Sequence, residues 1–159
     1  STGEVLRNEI NNKTELGEKI STIINSGSFV SDDIVKKLVE NFISNNKYKS
    51  RLIFDGYPRN LNQAKTLKEL LNKYQQKIDL VLQLSVSLDT IKKRILERQT
   101  LEKRADDSEE IAIKRYKTYE KSTEPVIEFY KKLNLLKVID GERSIDQINK
   151  EISDIITLI

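Results

Sequence analysis

At 159 residues, 37% hydrophobic and 33% charged, the chain is large enough for one domain with a packed core and too short for two. It has no cysteine and no histidine, which excludes a disulfide framework, thiolate or imidazole zinc sites, and Ser-His or Cys-His catalysis. A net charge of +3 is too mild to argue for a nucleic-acid polymer; no apolar run approaches the ~20 residues of a membrane span, no signal segment opens the chain, and a cytoplasmic location is expected.

Taken in chain order, residues 4–12 and 15–25 read as two helices, the second with Leu16, Ile20, Ile23 and Ile24 on one side and Gly27 as its stop. A third helix over 31–45 opens at Ser31 as a cap, and Asp32 and Asp33 suit its positive end. Its apolar face is Ile34, Val35, Leu38, Phe42 and Ile43. Residues 51–55, Arg-Leu-Ile-Phe-Asp, read as a short strand closed by the turn Gly56-Tyr57-Pro58. A helix over 60–75 carries Leu61, Ala64, Leu67 and Leu71 on one stripe; a strand over 78–84 and a helix over 87–98 follow. Residues 99–107 form a polar connector, and a long helix runs over 108–132, disturbed near Pro125. A strand over 135–139 and an amphipathic helix over 144–157 close the chain. Three apolar strands separated by long helices predict an α/β fold with a parallel sheet and helices on both faces.

Ligands in such sheets bind beyond the carboxyl ends of the strands, which directs attention to residues 55–59, to Ser85 and to Asp140-Gly141. In Asp55-Gly56-Tyr57-Pro58-Arg59, the aspartate can hold a metal-bound water, the glycine lets backbone approach a ligand, and the arginine projects from a rigid turn toward a phosphate. The same five residues read equally well as a strand-ending turn with one exposed charge. The charge inventory sharpens the choice: twenty lysines supply most of the solvation, so each of the eight arginines is expected where bidentate geometry matters.

Four segments together resemble the nucleoside monophosphate kinases: Ser1-Thr2-Gly3-Glu4-Val5-Leu6-Arg7, Asp55 to Arg59 with Gln63 four residues on, Arg104-Ala105-Asp106-Asp107, and Thr123-Glu124-Pro125-Val126-Ile127. The resemblance spans essentially the whole chain, in the family's order and spacing. It implies one kinase domain over 1–159, incomplete in its first strands, with an AMP-binding helical segment over 4–50 and a short lid over 99–107. It further implies that Thr2 and Gly3 contact the base, that Arg7 and Arg59 grip the AMP phosphate, and that Gly56 lines the pocket through its backbone. Gln63 matches the residue that reads the adenine edge, and Phe29 and Val30 match the lining of the adenine and ribose pocket. On the ATP side stand Arg98, Arg104 and Gly141, with Arg104 and Arg115 closing on the transferring phosphoryl group. Asp55 matches the aspartate that orients the waters of the Mg2+ carried by ATP. Arg51, Arg94 and Arg143 are left for structural roles.

Plainer readings stand beside several of these. Arg104 and Arg115 read also as solvated helix-end charges, Asp106 and Asp107 as the start of the 108–132 helix, Phe29 as core, and Thr2 as a helix cap. Threonine at position 2 and glutamine at 63 resemble the AMP-selective branch, with UMP/CMP second. The lid is of the short type but lacks that type's usual glycines.

The family's Gly-x-x-x-x-Gly-Lys-[Ser/Thr] loop does not occur in these 159 residues. With Ser1 first and no methionine, the chain is expected to be a segment of a longer product, inactive or nearly so by itself, and to associate through an exposed sheet edge. The alternative from another class is a nucleotide-binding or assembly module that does no chemistry. RNA binding through the lysine-rich helices is the weakest reading, because the aromatic residues are few and unclustered.

Overall fold

A computed structural model describes residues 1–26, 28, 30–102 (of residue 102, the backbone alone) and 108–158. Its elements in chain order are α1 (Thr2–Asn11), α2 (Glu15–Asn25), α3 (Asp32–Ile43), a 3-10 turn (Asn46–Tyr48), α4 (Leu61–Lys73), β1 (Val81–Ser85), α5 (Leu88–Glu102), α6 (Glu109–Lys132), β2 (Leu136–Asp140) and α7 (Ile145–Thr157).

Most helices begin where a side-chain oxygen can take an orphaned backbone N–H. Thr14 Oγ1 accepts from Gly17 N at 3.0 Å, Asn60 Oδ1 from Gln63 N at 2.8 Å, and Ser108 Oγ from Ile111 N at 3.2 Å. Ser144 and Gln147 form a reciprocal capping box at α7. Two expected caps differ. Ser1, not Thr2, caps α1 by accepting from Glu4 N, and Ser31 occupies the cap position of α3 without a side-chain hydrogen bond. The α6 cap is Ser108; Asp106 and Asp107, read as its start, lie outside the described residues, as does Gly27, the expected stop of α2.

β1 and β2 pair in parallel from Val81↔Leu136 to Ser85↔Asp140, and among the described residues they are the only sheet. This is an α/β arrangement, mostly helical, with a small parallel sheet. The strand expected over 51–55 is not one. A strand exists by bonding to a neighbour, and among the described residues no segment pairs with it. Its alternation survives nonetheless: Leu52 and Phe54 pack on the core while Ile53 between them is 90% exposed. α5 continues four residues past its expected end, to Glu102, because nothing before residue 103 breaks it. α6 runs through Pro125 without a break; Pro125 and Lys121, whose carbonyl loses its N–H partner there, are both exposed to solvent.

Two hydrophobic clusters hold the molecule together. The first gathers α1 to α4 around Ile20, Ile43 and Leu67, with Leu52, Phe54 and Tyr57 packed in. The second joins Ala64 of α4 to Val126 and Tyr130 of α6 and to Val81 and Leu136 of the sheet. α4 therefore serves both, dividing its faces between the helical half and the sheet half. Burial of such side chains stabilises by roughly 1.5–3 kcal/mol each. Among the described residues no helix is long and apolar enough to cross a membrane.

Candidate functional site

The N-terminus of α1, the turn at 55–59, the start of α4, and single residues from α5 and α6 enclose a cavity of about 620 Å3. That lies within the range of small-molecule sites. Arg7, Arg59, Arg98 and Arg115 all line it, each delivered by a different element, and Thr2, Gly3, Val30, Asp55, Gly56 and Gln63 line it with them. Ten of the residues singled out in the sequence thus share one cleft. Phe29 and Arg104 lie outside the described residues, as do residues 103–107 of the expected lid; residues 99–102 belong to α5. Gly141 is not part of the lining. It is buried at the end of β2, where a Cβ would meet Val86 Cγ1 at 2.7 Å and Ser85 O at 3.0 Å. Its glycine is explained by that packing.

The turn that carries Arg59 is fixed from several sides. Gly56 has φ +63°, in the region that disfavours a side chain, and a Cβ there would meet Arg59 Nη2 at 3.2 Å. Arg59 Nε donates to the Gly56 carbonyl at 2.7 Å, and Thr123 Oγ1 of α6 donates to the Arg59 carbonyl at 2.8 Å. Thr123, in the Thr-Glu-Pro motif, therefore holds the turn from outside the cavity. Thr2 joins α1 to the same turn, its N donating to Asp55 O at 3.4 Å and its hydroxyl to Gly56 O at 3.5 Å. Lys114 of α6 reaches the other rim, donating to Ser26 O at 2.8 Å.

Electrostatically the site is cationic. Burial, then Arg115 and Arg7, push the Arg59 guanidinium below its ordinary value, and Asp55 offsets part of that. An anion entering among these groups relieves the repulsion, and a planar guanidinium meets phosphate oxygens two at a time. Leu6, Ile24, Val30 and Val35 supply apolar lining for a flat ring. Among the described residues no cluster of three His, Cys, Asp or Glu could hold a metal. Two exposed carboxylates, Glu4 and Asp55, line the cavity, a donor set that suits Mg2+ arriving hydrated on a substrate's phosphates and does not fit a resident ion.

The remaining arginines hold structure: Arg51 donates to Lys47 O at 3.3 Å, Arg94 to Gly141 O at 2.7 Å, and Arg143 pairs with Glu151. Sequence reading missed several contributors. Leu6, Ile24 and Val35 carry an ordinary apolar period that does not separate core from pocket, and Ser28 gave no signal. Asp32 registered only as a charge at a helix start; its carboxylate in fact accepts from Asn60 Nδ2 (3.0 Å), Asn62 Nδ2 (2.8 Å) and Gln63 Nε2 (2.8 Å).

Comparison with known proteins gives a consistent picture. The family model for adenylate kinase matches residues 1–135. The chain is 43% identical to an adenylate kinase of Pelagibacter ubique (strain HTCC1062), the match covering 98% of this chain and 85% of that protein. It is 42% identical to one of Prochlorococcus marinus (strain MIT 9301), covering 96% and 80%, and 36% identical to one of Thermosipho melanesiensis, covering 98% and 86%. The match to the Pelagibacter protein runs over 182 positions, more than this chain has residues, so that relative carries inserted residues within the matched stretch.

Proposed function

The chain belongs to the adenylate kinase family, a family of phosphotransferases, and from that premise we propose that its cavity binds AMP for the reaction ATP + AMP = 2 ADP. The observation that carries the proposal is the convergence of Arg7, Arg59, Arg98 and Arg115, from four elements, on one cavity. In this reading Arg7 and Arg59 take the AMP phosphate, and Thr2, Gly3, Val30 and Gln63 take the nucleoside, with Phe29 from outside the described residues. Gly56 lets the turn come close. Arg98, with Arg104, belongs to the ATP side; Gly141, expected there, is accounted for by its packing. Arg115 and Arg104 neutralise charge on the moving phosphoryl group.

Phosphoryl transfer asks a protein for little covalent chemistry. It needs two phosphate chains held in line, developing charge stabilised by fixed donors, and water excluded. Arginines delivered by several elements can meet the first two needs, and histidine or cysteine is not required. Mg2+ arriving with ATP would supply positive charge at the phosphates, and Asp55 would be the carboxylate suited to hold its waters.

Gln63 and Thr2 support AMP over the pyrimidine nucleotides. Calorimetric titration of the chain should give AMP an affinity about tenfold or more above CMP and UMP, since a correctly paired polar edge is worth roughly that factor. Equal affinities for all three would remove Gln63 and Thr2 from base recognition and revive the UMP/CMP reading. The second reading is a nucleotide-binding or assembly module without chemistry. The sheet edges, open among the described residues, and the exposed Ile53 and Leu84 support association of the chain with another.

A further inference from the structure

Gln63 is a long, flexible side chain, yet only 4% of it is exposed and both ends of its amide are engaged. Its Oε1 accepts from Arg59 N at 2.8 Å, and its Nε2 donates to Asp32 Oδ1 at 2.8 Å. These two partners are opposite in kind. A backbone N–H can only donate and an ionised carboxylate can only accept, so a flipped amide would set donor against donor and acceptor against acceptor. One orientation is thereby selected. Gln63 lines the cavity, and beyond these two bonds its amide keeps one further Nε2 hydrogen and one further Oε1 lone pair, a donor and an acceptor side by side. An adenine edge presents the complement, a ring nitrogen that accepts beside a 6-amino group that donates. Hypoxanthine, with a 6-oxo group and a protonated ring nitrogen, presents the opposite pattern.

Asp32 is built to stay charged in this role. Burial raises its pKa, but the amides of Asn62, Asn60 and Gln63 outweigh burial and hold the carboxyl below its ordinary value. It is also the first residue of α3, where the positive end of the helix favours a carboxylate, and its three amide partners open α4. The carboxylate thus ties two helix starts together behind the cavity wall without itself lining the cavity.

We propose that Asp32 is a specificity-positioning residue: by anchoring Gln63 Nε2 it fixes the amide orientation that selects a 6-aminopurine monophosphate over a 6-oxopurine one. The inference rests on the reading of this cavity as an AMP site.

The test is a double-mutant cycle on the chain, read by calorimetric titration with AMP and with IMP. Asp32→Ala should weaken AMP about tenfold, the range for a lost hydrogen bond to a charged group, and should shrink the preference for AMP over IMP toward unity. In a Gln63→Leu background the same change should alter AMP affinity by less than about twofold, because Asp32 acts through the amide. Asp32→Asn, which keeps an acceptor, should recover part of the preference; it serves as the measured variant where Asp32→Ala does not unfold cooperatively. Additive losses in the cycle, or an unchanged AMP:IMP ratio in both Asp32 variants, overturn the proposal. The outcomes separate the two readings. If Gln63→Leu weakens AMP while neither Asp32 variant changes the AMP:IMP ratio, this inference alone fails. If Gln63→Leu leaves AMP affinity unchanged, the adenine reading of the cavity fails and takes this one with it.

Discussion

Replacing Arg59 with alanine should weaken AMP binding roughly 100-fold, because two charge-assisted hydrogen bonds to one phosphate are lost together. The same substitution should leave the thermal midpoint nearly unchanged. The backbone contacts of residue 59, with Gln63 Oε1 and Thr123 Oγ1, do not need its side chain, and the side-chain bond to the turn that is lost, Nε to the Gly56 carbonyl, is an exposed one worth about 1 kcal/mol. Removing the guanidinium also lifts the repulsion that Arg115 and Arg7 exert on it. Binding and stability should therefore part company, as expected of a group placed for function at some cost to the fold. Arg59→Lys should recover only a small part of the affinity, since an ammonium is a point charge without the two-pronged geometry. Titration calorimetry and thermal unfolding on the same samples check both halves; a parallel fall in midpoint and affinity would recast Arg59 as structural.

Gly17→Ala should be the most destabilising small substitution. A Cβ at that position would stand 2.1 Å from Glu9 O, 2.5 Å from Glu9 C and 2.8 Å from Ile10 Cα, all of them backbone atoms with no rotamer to escape into. α1 and α2 cross closely here because Thr14, which caps α2, donates its hydroxyl to Glu9 Oε2 at 2.6 Å and its N–H to Glu9 O at 3.2 Å. Alanine favours a helix by about 1 kcal/mol over glycine, but overpacking against backbone costs about 3 kcal/mol or more, so the clash wins. A net loss of about 2–3 kcal/mol corresponds to a fall in thermal midpoint of roughly 5–10 °C for a domain of this size. Since α1 carries Thr2, Gly3 and Arg7, AMP affinity should fall along with stability. An unchanged midpoint would mean that the two helices do not meet as described.

The sequence made the helices legible because most stripes of apolar residues match the face they bury: Ile20 of α2, and Leu67 and Leu71 of α4, are all core, whereas in α3 the expected Phe42 is 39% exposed and Val39, left out of the stripe, is buried. β1 and β2 were legible for the same reason, within a few residues at each end. Residues 51–55 carry the same signal, with Leu52 and Phe54 inward and Ile53 outward, yet are not a strand. Alternation reports which side is buried, whereas pairing depends on a partner that the local sequence does not encode. The cavity was legible mainly through its arginines, whose type and motif context mark them out against a lysine-rich background. Leu6, Ile24 and Val35 were not separable from core, because a pocket wall and a core face have the same period. Asp32 was hidden for another reason: its partners lie about thirty residues away, and only the packing of α3 against α4 brings them together. Gly17 was equally silent, since the crossing of α1 and α2 that demands it is a tertiary fact.

Following backbone amide resonances of the isotope-labelled chain during titration with AMP shows whether one cavity gathers these arginines around a nucleoside monophosphate. Saturable shifts are expected to concentrate at Thr2, Gly3, Arg7, Val30, Gly56, Arg59 and Gln63, with adenosine producing far smaller changes at Arg7 and Arg59. Shifts centred on α7 or on the exposed face of α6, or no saturation at millimolar AMP, would contradict it.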